Sequence, residues 1–171
     1  MDQPRKEIIS WREVSKLVSI IIPQFESVFD SIIMISPSGI IPAGMLAAAV
    51  GIGELMVAQV DFPPDSDLEK SKLLSWPKFT HFPSDEMLFE KRVLVVNNVW
   101  GSGRTTWSVH KRVETAGGIP CSCVLHYNPY RNLLKCKPEY YGAITDAFII
   151  YPWNLDQAGP DRVLLENGGR G

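Results

Sequence analysis

Apolar residues in this chain come in short blocks of two kinds, and their order predicts strands alternating with helices. Ser31-Ile-Ile-Met-Ile-Ser36 and Arg92-Val-Leu-Val-Val-Asn97 are apolar on both faces of the pleat, the pattern of strands buried in a parallel sheet. Glu54 to Val60, Pro120 to His126 and Ala147 to Tyr151 are read as further strands. Ser10 and Glu13 have the spacing of a capping box, which starts a helix at Trp11 that runs toward Phe29, with Pro23 expected to kink or interrupt it. Pro42 to Val50 is an alanine-rich helix with proline in its first turn. Thr105 to Ala116 carries an apolar stripe of Val109, Val113 and Ala116, and Gly117-Gly118 ends it. The fold class that follows is α/β, a mostly parallel twisted sheet flanked by helices on both faces.

Between Asp61 and Lys91, four prolines and many charges break both periodicities, so this stretch reads as a long excursion with room for a hairpin. A chain of 171 residues suits one domain. We place that domain at 1–154, with 61–91 as its excursion, and treat 155–171 as a C-terminal extension. The net charge of −2 offers no basic field, so no nucleic-acid partner is expected. No apolar run approaches the roughly 20 residues that span a bilayer, and Met1 to Ile8 lacks the features of a secretory signal. A cytoplasmic location is the expectation, or an organelle if a transit peptide has been removed.

The cysteines, Cys121, Cys123 and Cys136, match neither a zinc knuckle nor a disulfide framework, and the first two are expected as buried thiols. His81, His110 and His126 form no metal motif, and His110 is expected on a helix surface or rim. Glu139 and Asp146 read as solvated carboxylates.

One segment carries candidate chemistry. After the strand at Val93 come Asn97-Asn98-Val99-Trp100-Gly101-Ser102-Gly103-Arg104-Thr105-Thr106, and then the helix. A glycine- and hydroxyl-rich turn between a parallel strand and a helix aims free amides and the positive end of the helix dipole at one spot, which suits a phosphate. The spacing is neither Walker A nor G-x-G-x-x-G. By itself it fits a connection without a ligand equally well.

Val93 to Thr106 resembles the ribose-phosphate signature of type I phosphoribosyltransferases: an apolar strand, two acidic residues, two apolar residues, then Asp-Thr/Ser-Gly-x-Thr. Ile35-Ser36-Pro37-Ser38-Gly39-Ile40-Ile41-Pro42-Ala43 resembles the family's pyrophosphate loop, Ser-Arg-Gly-Gly-Leu-Ile-Pro-Ala. Val124 to Pro129 resembles a strand ending Lys-Pro, and Phe148 to Asn154 an aromatic base-binding segment, both of the xanthine/guanine/hypoxanthine branch. The resemblance covers most of residues 10–154. It implies a small mobile hood in the excursion, a homodimer, and phosphoribosyl pyrophosphate with Mg²⁺ and a 6-oxopurine as the reactants of an active member.

Against that pattern the acidic pair is replaced by Asn97 and Asn98, and the next carboxylate by Gly101. Amides bond hydroxyls but bring no negative charge to a Mg²⁺ shell or a cation-like ribosyl centre. General acid–base help, worth roughly 10²–10⁴ in rate, has no side chain at Gly101. Of the pyrophosphate loop, Ser36, Pro37, Ser38 and Gly39, proline stands where arginine is usual and Ser38 where glycine is usual. The lysine that the family aims at the base's exocyclic oxygen falls at Asn128, with Lys135 or Lys137 in the loop beyond as substitutes. Phe148 is either a core aromatic or the base-stacking ring, and Trp153, which suits packing, falls beside the base pocket.

Ser102, Gly103, Arg104, Thr105 and Thr106 survive. The expectation is a catalytically degenerate phosphoribosyltransferase-like domain that binds a nucleoside monophosphate, phosphoribosyl pyrophosphate or phosphate and serves as a regulatory or partner-binding domain. The alternatives are an active purine phosphoribosyltransferase, and a structural subunit whose cleft is empty or filled by Trp100 and a partner.

Overall fold

In the computed structural model, residues 5–61 and 77–154 are described. The excursion's segment 62–76 and the expected extension 155–171 lie outside the described residues. Strand β1 (Lys6–Ile8) leads into helix α1 (Trp11–Ile21), which starts as expected. The Ser10 hydroxyl accepts from the Glu13 amide at 3.3 Å, and the Glu13 carboxylate accepts from the Ser10 amide at 2.6 Å. The helix does not reach Phe29. It gives way to a 3₁₀ turn at Ile22–Gln24, because Pro23 has no amide hydrogen to continue the ladder.

Then follow β2 (Ser31–Ile35), α2 (Ile40–Val50), β3 (Leu55–Asp61), β4 (Lys78–His81), α3 (Asp85–Leu88), β5 (Arg92–Trp100), α4 (Arg104–Thr115), β6 (Ile119–Tyr127), β7 (Tyr140–Ile144) and β8 (Phe148–Ile150). The main sheet has the order β4-β3-β2-β5-β6-β7, parallel except for β4, while β1 and β8 form a separate parallel pair. Within the excursion, β4 adds antiparallel to the outer edge of β3. Strands β1 and β7 and helix α3 went unread in the sequence because each is short and none shows a sustained period.

The parity of β5 sorts the core. Leu94 and Val96 face one layer, packing with Val14, Leu17 and Ile21 of α1 and Leu46 of α2. Val93 and Val95 face the other, with Val109 and Val113 of α4 and Leu88. Each such fully buried side chain contributes about 1.5–3 kcal/mol. Strand β5 is longer than its apolar run. It continues through both asparagines to Trp100, because β6 pairs with it as far as Trp100↔Tyr127. The alternation then sends Asn97 toward α4 and Asn98 toward the α1/α2 layer.

One further expectation is corrected. His110 is buried within α4, its Nδ1 2.9 Å from the Ser122 hydroxyl, so it is no rim residue. Glu139 is exposed, as expected, and one carboxylate oxygen accepts from the Ser122 amide at 2.6 Å. Asp146 is exposed but paired with Arg5. The cysteines are free thiols; Cys123 is fully buried and Cys121 half-buried.

Candidate ligand cleft

Strand β2 ends in the loop Ser36-Pro37-Ser38-Gly39, whose Ser36–Pro37 peptide is cis. Gly39 sits so close to β5 that an added Cβ would collide with the Val96 carbonyl oxygen. Only glycine allows this approach, which puts the loop beside the end of β5. There Ser38 donates its hydroxyl to Asn97 Oδ1 at 2.8 Å. The same oxygen accepts from the Asn98 amide at 2.8 Å, and Asn97 Nδ2 donates to the Thr106 hydroxyl at 3.2 Å. Asn97 is therefore a buried tie among the loop, its own strand and the start of α4.

The turn itself is short, Gly101 to Gly103. Gly103 adopts φ 83°, and a Cβ there would lie 2.5 Å from Trp100 Nε1. The indole is the floor of the turn. Its Nε1 donates to Asn132 Oδ1 at 3.1 Å, and the Leu133 amide donates to the Ser102 carbonyl at 3.2 Å, so the loop after β6 is clamped onto the turn. Trp100 is 1% exposed, which removes it as an anchor for a protein interface. The Arg104 amide meets the Ser102 hydroxyl at 3.4 Å, and no side chain caps α4 among the described residues. Ser102, Arg104 and Thr105 are half-buried around this helix start.

A cleft of about 290 Å³ opens beside the turn, lined by Ser38, Asn98, Gly101, Asn128, Arg131, Phe148 and Asn154 together with Val99, Ala147, Ile149 and Tyr151. It brings Ser38 of the pyrophosphate-like loop, Asn98 and the aromatic segment to one place. Phe148 is 38% exposed on its wall, available to a flat ring. Two base-pocket candidates lie elsewhere. Trp153 stacks on Tyr151 at 4.7 Å and packs against Trp11, and Lys137 is exposed without lining the cleft. Of the phosphate-turn candidates, Gly101 alone lines it, with the others forming the adjoining turn and helix start. Of the pyrophosphate-like loop, Ser38 lines the cleft and Ser36, Pro37 and Gly39 do not.

Two features of the cleft were not singled out in the sequence. Arg131 enters its lining, three residues beyond Asn128, and the Asn-Pro-Tyr-Arg turn was the available signal. Behind Asn98, the Tyr151 hydroxyl donates to the Asn98 carbonyl at 2.9 Å. The Tyr151 oxygen lies 2.9 Å from His126 Nδ1, which supplies it with a proton when the neutral ring carries hydrogen there. Burial pushes the His126 pKa down to about 4, only partly opposed by Glu13, and raises that of Tyr151. Both groups are neutral at pH 7 and hold the end of β5 against the segment after β8.

No protein-family model and no curated protein sequence matches the chain. Solved structures do. A purine phosphoribosyltransferase of Pyrococcus horikoshii is 27% identical with a TM-score of 0.71, covering 86% of this chain and 93% of its own. A hypothetical protein of Neisseria gonorrhoeae with bound ppGpp is 26% identical with a TM-score of 0.74, covering 99% of this chain and all (100%) of its own. The Helicobacter pylori xanthine-guanine-hypoxanthine phosphoribosyltransferase, 13% identical with a TM-score of 0.68 over 91% of this chain and 97% of its own, shares the fold.

Proposed function

We infer that this chain, which has the type I phosphoribosyltransferase fold, is a catalytically degenerate member of that architecture, binding a nucleotide or phosphate in a regulatory or partner-binding role. The observation that carries this reading is the donor set of the cleft. Among the described residues lining it there is no carboxylate: its polar side chains are two hydroxyls, three amides and one guanidinium. Asn97, where the resemblance expects an acid, is bonded to Ser38, Asn98 and Thr106 instead.

A Mg²⁺ ion fits these residues poorly. It is bound through one or two carboxylates plus substrate phosphates. No cluster of three or more acidic, histidine or cysteine side chains that could hold a metal occurs among the described residues. An anion fits better, because Gly101 to Thr106 present a helix start and the cleft contributes Arg131. The ppGpp bound to the Neisseria neighbour makes that compound, beside nucleoside monophosphates, a ligand to try.

Melting curves with phosphate, guanosine monophosphate and ppGpp test the binding half. A ligand at 100 times its Kd is expected to stabilise the fold by about 2.7 kcal/mol, with Mg²⁺ adding little. If no phosphate compound moves the transition, the reading fails.

Pyrophosphate release from phosphoribosyl pyrophosphate, Mg²⁺ and a mixture of xanthine, guanine and hypoxanthine tests the catalytic half. The unaltered chain is expected to be silent, beside an Asn97→Asp, Asn98→Asp, Gly101→Asp triple variant as comparison. Turnover without the substitutions would favour the active-enzyme reading, which the Pyrococcus neighbour supports. A homodimer and a cytoplasmic location remain part of this proposal, the first open to sedimentation measurements.

A further inference from the structure

The cleft has one wall on each of two sheets. Asn98 and Val99 stand at the end of β5 in the six-stranded sheet, while Phe148, Ile149 and Tyr151 belong to β8 and the residue after it, in the pair that β8 forms with β1. Among the described residues no strand ladder joins the two sheets, so packing and side-chain bonds set the distance between the walls. Ile149 and Tyr151 pack into the core layer that holds α1, but apolar contact is non-directional and leaves the exact approach of the walls to polar groups.

Donor and acceptor rules fix what those polar groups do. The Tyr151 hydroxyl oxygen lies 2.9 Å from the Asn98 carbonyl oxygen and 2.9 Å from His126 Nδ1. A carbonyl oxygen only accepts, so the first contact is attractive only if the single hydroxyl hydrogen lies in it. The second contact then needs its hydrogen from the ring, which makes His126 the Nδ1–H tautomer. A chain results in which His126 of β6 donates to Tyr151 and Tyr151 donates to the main chain of Asn98 in β5. All three residues are buried, and in so dry a place successive hydrogen bonds strengthen one another.

We propose that Tyr151 and His126 are positioning residues of the cleft: their hydrogen-bond chain holds the Phe148 wall at a fixed distance from the Asn98 wall and so sets the affinity for the base of a nucleotide, without acting on its phosphate. The proposal rests on the cleft being the nucleotide site argued above. A flat base gains from the Phe148 ring only if the opposite wall stands at the right spacing, because contact attraction fades over a gap of 0.5–1 Å. A brace in place before the ligand arrives removes ordering that binding would otherwise have to supply. The turn from Gly101 to Gly103 takes its support from Trp100 instead and lies outside this chain.

Calorimetric titration of guanosine monophosphate and of inorganic phosphate into the full chain at pH 7, unaltered and as Tyr151→Phe, tests this. The substitution removes one oxygen and keeps the ring that stacks on Trp153. The nucleotide is expected to bind about 5–10-fold more weakly to the variant, as for one lost hydrogen bond, while phosphate changes by about twofold or less. His126→Leu, which removes the donor, should weaken the nucleotide with the same selectivity, and His126→Asn, which keeps a donor, should recover part of the loss. Nitrogen NMR of the unaltered protein should find the His126 hydrogen on Nδ1. An equal loss for both ligands, no loss for the nucleotide, or the hydrogen on Nε2 overturns the proposal while the nucleotide site stands. Should Tyr151→Phe not fold, the two His126 variants decide by the same comparison. If the unaltered protein does not bind the nucleotide at all, the reading of the cleft as a nucleotide site fails and the proposal falls with it.

Discussion

Replacing Trp100 by alanine is expected to cost about 3–5 kcal/mol of stability and to abolish the melting shift produced by phosphate. The indole is fully buried at the end of β5, and three neighbours depend on it: Gly103 rests against its ring edge, Leu134 approaches the same spot, and Asn132 accepts its Nε1–H. Emptying that volume removes the floor of the turn and releases the clamp between the turn and the loop carrying Arg131. Urea unfolding measures the first effect, and ligand melts of whatever folded protein remains measure the second. Trp100→Phe divides the two contributions. It keeps most of the packing and loses one hydrogen bond, worth about 1 kcal/mol, so its phosphate response should survive. A loss below about 1 kcal/mol for Trp100→Ala would mean that the indole does not support the turn.

Acid should weaken the fold before its carboxylates titrate. Burial holds His126 neutral, with a pKa lowered from 6.5 to about 4. The unfolded chain therefore binds a proton that the folded chain refuses between those values. Stability is fully present above pH 6.5, falls as the pH drops through the window, and the loss is complete near 4. It amounts to about 3 kcal/mol. Glu7, Glu13 and Asp146 lie around the cavities that His126 lines, together with Arg5 and Lys16. Of these, Glu13 is the one whose charge raises the His126 pKa, and burial outweighs it. His110 is shifted the same way, again chiefly by burial, and adds to the slope. Urea midpoints at pH 7 and 4.5 would measure the loss. His126→Asn, which can still offer Tyr151 a donor, should flatten the slope even if it lowers the stability at pH 7. An unchanged slope in that variant would assign the acid sensitivity elsewhere.

The strand-to-helix alternation was readable because it depends on local rules. Buried parallel strands must be apolar on both faces, as in Val93 to Val96, and a helix covering them must show a stripe, as in Val109 and Val113. The capping box at Ser10 and Glu13 was readable for the same reason: both partners lie within one turn. Strand β7 was not, since Tyr140-Tyr-Gly-Ala-Ile acquires its strand character from pairing with β6. His110 looked like a rim residue because its partner, Ser122, comes from a different element.

The candidate site divides along the same line. Residue types at Asn97, Asn98 and Gly101, and with them the loss of three carboxylates against the family's pattern, were a property of the sequence alone. What those asparagines do was not. Asn97 became an internal tie and Asn98 a cleft residue because adjacent strand positions point to opposite faces, and different elements stand on the two sides. In the same way, the sequence reading offered Lys135 or Lys137 as the cation of this loop and did not single out Arg131. The clamp of Asn132 and Leu133 on the Gly101 to Gly103 turn, and the Asn128 turn before it, placed Arg131 in the cleft. Composition and period record what each segment must bury; which polar group meets which depends on contacts between residues far apart in the chain, and only the packed structure decides those.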